Sequence, residues 1–131
     1  IKCEIIEFSY NIENSYDWAD LIISRSGSMT LSEISISGRA SILVPFSYST
    51  DNHQYINAKY LESNEAAIII EENERFSENL YKVINNLVHN KQEMYNMAVN
   101  VKSLFPSNAS DIILANIKEL NEKYNNSASE E

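Results

Sequence analysis

A chain of 131 residues has the length of one domain, and its 44% apolar and 22% charged residues are typical of a soluble globular protein. Acidic residues outnumber basic ones by 19 to 10, and the resulting net charge of −9 disfavours binding to nucleic acid or to anionic lipid. The single cysteine, Cys3, excludes an internal disulfide. We see no signal peptide and no apolar run of bilayer length, and together with the lone cysteine this favours a cytoplasmic setting.

The first half of the chain alternates β-branched runs with helical patterns. In chain order, we predict a strand at Glu4–Phe8, a helix at about Ile12–Trp18, a strand at Leu21–Ser24, a helix at about Met29–Ser37 and a strand at Ser41–Val44. Gly38 stands where a left-handed residue commonly ends a helix.

The second half is mostly helical in pattern. We predict a helix at His53–Glu62, a strand at Ala66–Ile70, a helix capped by Ser77 and a helix at about Lys91–Leu104. Pro106 then precedes a last helix that starts at Ser110 or Asp111, and residues 125–131 lack apolar anchors and are expected to be disordered.

Strands of continuous apolar character that are separated by helices predict a parallel sheet covered on both faces. The expected fold class is therefore α/β, with a Rossmann-like parallel sheet and flanking helices. We assign residues 1–124 to this domain and residues 125–131 to the tail.

The turn between the second strand and its helix is a candidate anion site. Its residues Ser24 to Thr30 are mostly small, so successive main-chain N–H groups can converge near the helix N-terminus. An alternative is that Ser28 or Thr30 only caps the helix, with Thr30 and Glu33 forming a capping box. The turn matches neither a Walker motif nor G-x-G-x-x-G.

A second polar segment follows the third strand. Asp51, His53 and Gln54 could bind a polyhydroxylated ligand, or Asp51 could simply cap the helix and His53 face solvent. Neither histidine has a second ligand at metal spacing, so we expect no metal and no cofactor. Tyr16 and Trp18 are interpreted as packing residues of the short first helix.

Taken together, these segments resemble a known family. The run WADLIISRSGSMTLSEI at residues 18–34, followed by ILVPF at 42–46, DNHQ at 51–54 and NA at 57–58, is similar to the C-terminal half of the MurG family of glycosyltransferase family 28. The resemblance covers nearly the whole chain up to about Lys118. It implies the donor-binding C-terminal half of a GT-B glycosyltransferase.

The resemblance implies a site for the nucleotide of UDP-N-acetylglucosamine. Ser28, Met29 and Thr30 would offer main-chain and hydroxyl donors to the diphosphate, and Glu33 would hold the ribose hydroxyls. Ser9 would pair with uracil through its main chain.

The resemblance also implies a site for the sugar. His53 and Gln54 match the pair that contacts the N-acetylglucosamine hydroxyls, although the family often has glutamine in place of His53. Asp51 and Asn57 belong to the same signature and are possible contacts.

The implied reaction is an inverting transfer of N-acetylglucosamine to a lipid-linked muramoyl-pentapeptide in peptidoglycan synthesis. The family's N-terminal acceptor domain is missing from this sequence, so the chain alone is expected to be inactive, with that domain and, through it, the lipid-linked acceptor as partners. Since the chain begins at Ile1, without methionine, we expect a longer polypeptide, peripheral on the cytoplasmic face of the inner membrane.

Two alternatives remain open at this point. The chain could be the donor subunit of a split UDP-N-acetylglucosamine transferase, or a non-catalytic module that binds nucleotide sugars. The sequence upstream of Ile1 would discriminate between them: an acceptor domain in frame indicates the bacterial enzyme, and a nearby start codon indicates the split form.

Overall fold

The computed structural model describes residues 2–46 and 52–105. Three strands in this part form one parallel sheet in the order β1-β2-β3, with helices packed on both faces, which confirms the predicted α/β class. The elements are α1 (Ile12–Trp18), β1 (Leu21–Ser24), α2 (Ser28–Ser37), β2 (Ala40–Leu43), α3 (His53–Ser63), β3 (Ile68–Ile69), α4 (Phe76–His89) and α5 (Lys91–Leu104).

The central strand β2 explains why the sheet is covered on both sides. All four of its residues are buried, and because successive side chains of a strand point to opposite faces, they feed two separate clusters. Leu43 joins the cluster formed with α2 and α3, whereas Ala40 and Ile42 join the cluster formed with α4 and α5. The carboxyl ends of the strands therefore meet at one edge, beside the N-termini of α2 and α3.

Two strand predictions are wrong, one in the existence of the strand and one in its extent. Residues Glu4–Phe8 form no strand, and Ile5 and Phe8 are 91% and 70% exposed. A β-branched run becomes a strand only when a neighbour completes its hydrogen-bond ladder, and none of the described residues pairs with this segment. β3 shrinks from the expected Ala66–Ile70 to Ile68–Ile69, since pairing with β2 covers only these two residues.

The helix predictions agree more closely with the structure. Gly38 ends α2 with φ 61° and ψ 51°, as expected, and Lys91–Leu104 matches α5. Ser77 does not cap α4, which begins at Phe76 after Arg75 as the N-cap residue. Trp18 is 87% exposed, so its interpretation as a packing residue is wrong.

Some predictions concern parts of the chain that the structure does not describe. The helix from Ser110 or Asp111 and the tail at 125–131 lie outside the described residues. Within the described ranges, no helix is long and apolar enough to cross a bilayer.

Candidate functional site

The turn between β1 and α2 exposes main-chain donors. Gly27 is the N-cap residue, with extended backbone angles, and no side chain caps this helix. The amides of Ser28, Met29 and Thr30 occupy the first turn, where an α-helix offers no acceptor, and they have no hydrogen-bond partner among residues 2–46 and 52–105. A Cβ placed on Gly27 would meet no described atom within 4 Å beyond its chain neighbours. The turn therefore combines unpaired N–H groups with open space.

The capping-box alternative for this turn is wrong. The N-cap position belongs to Gly27, so Thr30 is the third residue of α2 and Glu33 lies nearly one turn further along the helix. A capping box needs the hydroxyl residue at the N-cap itself. The carboxylate of Glu33 is therefore available for another role.

Glu33 instead accepts a hydrogen bond from the first helix. The hydroxyl of Tyr16 donates to Oε2 of Glu33 at 3.0 Å. Partial burial, then this hydrogen bond and the negative charge of Glu33, raise the pKa of Tyr16 to about 12. The phenol consequently stays protonated, and remains a donor, at any physiological pH.

The first turn of α3 is fastened to the same β1–α2 turn. Ser26 is completely buried, and its hydroxyl donates to the main-chain oxygen of Gln54 at 2.7 Å. The side-chain amide of Asn57 donates in return to the main-chain oxygen of Ser26 at 3.4 Å. The N–H of Phe46 donates to Oε1 of Gln54 at 3.1 Å. These bonds hold the start of α3 beside the start of α2.

Comparison with known proteins identifies the family of the chain. The family model described as "Glycosyltransferase family 28 C-terminal domain" matches residues 1–113. The chain belongs to this family. Its fold is also that of a solved relative, titled "Crystal structure of acinetobacter baumannii MurG", with a TM-score of 0.77 and 31% identity over 88% of this chain and 33% of that one.

Curated relatives agree with the family assignment and carry one name, "UDP-N-acetylglucosamine--N-acetylmuramyl-(pentapeptide) pyrophosphoryl-undecaprenol N-acetylglucosamine transferase". The relative from Wolbachia sp. subsp. Drosophila simulans (strain wRi) is 42% identical over 74% of this chain and 28% of its own length. The relative from Buchnera aphidicola subsp. Schizaphis graminum (strain Sg) is 39% identical over 91% of this chain and 33% of its own length. The chain thus spans about a third of the length of these relatives.

Most of the residues that the family resemblance singled out lie at this edge of the sheet. Ser28, Met29 and Thr30 form the first turn of α2 and Glu33 lies in the middle of that helix, whereas His53, Gln54 and Asn57 belong to the first half of α3.

The remaining two predicted residues are Ser9 and Asp51. Ser9 is half-buried in a segment without regular structure, and it makes no hydrogen bond to the other candidates in the part of the chain that is described. Asp51 lies outside the described residues, and Asn52 occupies the N-cap position of α3. The uracil role of Ser9 stays a prediction.

Arg25 is a site residue that the sequence reasoning missed. Its guanidinium donates to Glu72 at 2.8 Å and to the main-chain oxygens of Val44 and Pro45 at 3.3 and 3.4 Å, and it lies 5.4 Å from the ring centre of Phe46. The hydrogen bond from Arg25 lowers the pKa of Glu72. One side chain thereby ties together the chain segments that leave all three strands.

An arginine directly after a buried strand is the signal that could have identified this role, because parallel strands deliver their next residues to one edge. No local pattern would have identified Tyr16 or Ser26, since their partners are 17 and 28 residues away. Among the described residues, no group of three potential ligands is placed to hold a metal ion.

Proposed function

We propose that this chain binds UDP-N-acetylglucosamine and serves as the donor half of an inverting N-acetylglucosamine transferase. Its acceptor would be the lipid-linked muramoyl-pentapeptide named in the relatives' description. The complete enzyme would act in peptidoglycan synthesis, bound peripherally at the cytoplasmic face of the inner membrane. The observation that supports this most directly is the open turn at Gly27, where three amides have no partner among the described residues and Ser26 bonds to the start of α3.

The proposed chemistry depends on charge that develops on the leaving group. As the anomeric carbon is attacked by the acceptor hydroxyl, the bond to the diphosphate breaks and negative charge grows on the departing UDP. Fixed N–H groups at Ser28, Met29 and Thr30, at the positive end of the α2 dipole, stabilise this charge without a cation. Losing one preorganised donor of this kind costs about 3–4 kcal/mol in transition-state stabilisation.

The remaining candidate residues orient the donor. Glu33 accepts hydrogen bonds from the ribose hydroxyls, and Ser9 contributes main-chain groups to uracil. His53 and Gln54, with Asn57 and Asp51 as further contacts, bind the sugar hydroxyls. In this proposal the acceptor site and the general base belong to an N-terminal domain of the complete enzyme, and the chain by itself binds donor but does not transfer sugar.

An amide titration by NMR tests the proposal. Adding UDP-N-acetylglucosamine or UDP to the ¹⁵N-labelled chain should shift the amide resonances of Ser28, Met29 and Thr30 in a saturable way. The same sample, supplied with a lipid-linked acceptor, should release no UDP.

The chain offers an internal control at the start of α5. That helix is capped by Asn90, whose side chain accepts from the N–H of Glu93 at 3.3 Å, so its amides near Gln92 should not respond. Uridine, which lacks the diphosphate, should leave the α2 amides almost unshifted. Unchanged α2 amides at saturating UDP would refute the donor site.

A further inference from the structure

The hydrogen bond between Tyr16 and Glu33 joins two separate helices. Tyr16 is the one residue of α1 that is half-buried, and it packs at the margin of the cluster formed by β1, α2 and α3. The rest of α1 is exposed, so this helix contributes little else to the core. The contact places a single phenol hydroxyl on a carboxylate of the candidate site.

The geometry leaves one carboxylate oxygen for a ligand. Tyr16 occupies Oε2 of Glu33, whereas Oε1 has no hydrogen-bond partner among residues 2–46 and 52–105. A carboxylate can accept at both oxygens simultaneously, so the bond to Tyr16 and a bond to a sugar hydroxyl are compatible. A glutamate held by a second residue also loses less rotamer freedom when the ligand arrives.

The Tyr16 hydroxyl does not lose its proton at physiological pH. The pKa of Tyr16, raised to about 12 by partial burial and by the bonded, negatively charged Glu33, keeps the phenol protonated. A phenol hydroxyl facing a carboxylate forms a charge-assisted hydrogen bond, which is stronger than one between neutral groups. Tyr16 is therefore a persistent anchor for the carboxylate.

We propose that Tyr16 is a positioning residue that fixes Glu33 for the ribose of the donor nucleotide and thereby makes the site prefer ribose to 2′-deoxyribose. The proposal rests on the proposed function, since it takes the ribose as the ligand of Glu33. A purely structural Tyr16, which only packs α1 against α2, would lower the affinity for both nucleotides equally.

Calorimetric titration of UDP and 2′-deoxy-UDP into the full chain and its variants separates the two roles. Tyr16→Phe removes only the hydroxyl, and we expect it to raise the Kd for UDP about three- to tenfold while changing the Kd for 2′-deoxy-UDP much less. The preference for ribose should fall by the same factor. Tyr81→Phe, on the exposed face of α4, is the matched control and should leave both affinities unchanged.

A double-mutant cycle tests whether the effect passes through Glu33. In the Glu33→Ala background, adding Tyr16→Phe should have no further effect on UDP binding, because the carboxylate that Tyr16 holds is absent. Glu33→Gln, which keeps the side-chain size, should lose the ribose preference in the same way.

Each outcome has one meaning. Equal losses for both nucleotides, or additive losses in the double variant, would overturn the positioning role and leave Tyr16 as a packing residue. A wild-type chain that binds UDP with no ribose preference would also overturn it while preserving the proposed function. A folded wild-type chain that binds no UDP would instead refute the donor site itself.

Discussion

At the scale of single residues, a buried hydroxyl determines how the two halves of the candidate site meet. Ser26 has no exposed surface, and its hydrogen bond to the main-chain oxygen of Gln54 spans 28 residues of sequence. A buried polar group without a partner costs more than the bond itself contributes. The bond therefore favours one relative position of the turn and of α3.

We expect Ser26→Ala to lower the free energy of unfolding by about 1–2 kcal/mol, because it removes this bond from a buried position. Chemical denaturation of the chain measures the change. Ser32→Ala is the matched control: the Ser32 hydroxyl bonds only to Ser28 in its own helix and is exposed, so the change should stay within about 0.5 kcal/mol. Equal changes in the two variants would show that the Ser26 bond has no special weight.

The residue scale is also where sequence reasoning reached its limit. The motif residues at 28–30 and 53–54 could be placed because each set begins the helix that comes next after a strand along the chain. The role of Glu33 could not be decided, since a Thr-x-x-Glu pattern does not reveal which residue begins the helix, and here Gly27 does. Tyr16 acts through Glu33, 17 residues along the chain, which no local pattern contains. Arg25 was missed although its place directly after a buried strand was visible in the sequence.

At the scale of elements, the two glycines delimit α2 by different means. Gly38 ends the helix with φ 61°, and a Cβ there would lie 3.2 Å from Cδ of Lys102 on α5. Gly27 begins the helix with φ −67°, an ordinary value for any residue, and a Cβ there would enter open space. The backbone conformation at Gly38 requires glycine, whereas the conformation at Gly27 does not.

Alanine substitution should separate these two requirements. Gly38→Ala is expected to destabilise the chain by about 1–2 kcal/mol through left-handed strain. Gly27→Ala should change stability by only about 0.5 kcal/mol, because the loss at the N-cap is offset by a less flexible unfolded chain. It should nevertheless weaken UDP binding, since the methyl group occupies the space beside the amides.

Thermal unfolding and UDP titration of both glycine variants provide the two measurements. A large loss of stability in Gly27→Ala, or unchanged UDP affinity in that variant, would contradict the open character of the turn.

Helices and strands could be predicted where a short stretch of sequence is sufficient to determine them. The sequence patterns indicated five helices and three strands that the structure contains, with boundaries within a few residues, because periodicity and the Gly38 stop are local properties. The prediction for Glu4–Phe8 is wrong for the opposite reason. Its β-branched residues fit a strand, but a strand also needs a neighbouring strand to pair with, and this segment has none among the described residues.

At the scale of the whole molecule, charge opposes the proposed ligand. The chain carries a net charge of −9, and a nucleoside diphosphate is itself a multivalent anion. The proposed contacts to the diphosphate are neutral amides, and Arg25, the nearest cation in the sequence of the turn, is already bonded to Glu72. Long-range repulsion should therefore outweigh any cationic attraction.

This balance predicts an unusual dependence on salt. Raising ionic strength from about 10 mM to about 150 mM shortens the Debye length to roughly 8 Å and screens the repulsion, so the affinity for UDP should stay constant or increase modestly. Calorimetric titration at several salt concentrations measures this, with uncharged uridine as the control. A severalfold loss of UDP affinity would reveal a direct cationic contact, with Arg25 released from Glu72 as the first residue to examine.

The bond between Ser26 and Gln54 has a thermodynamic consequence for the proposed donor site. It links the turn proposed to bind the diphosphate to the helix start proposed to bind the sugar, so we expect a substitution on one side to affect binding on the other. Contributions of nucleotide and sugar to affinity will consequently not add as independent increments when residues on the two sides are altered together. The nucleotide and the sugar of the donor would then bind cooperatively, so that the binding free energy of the whole molecule differs from the sum for its two parts.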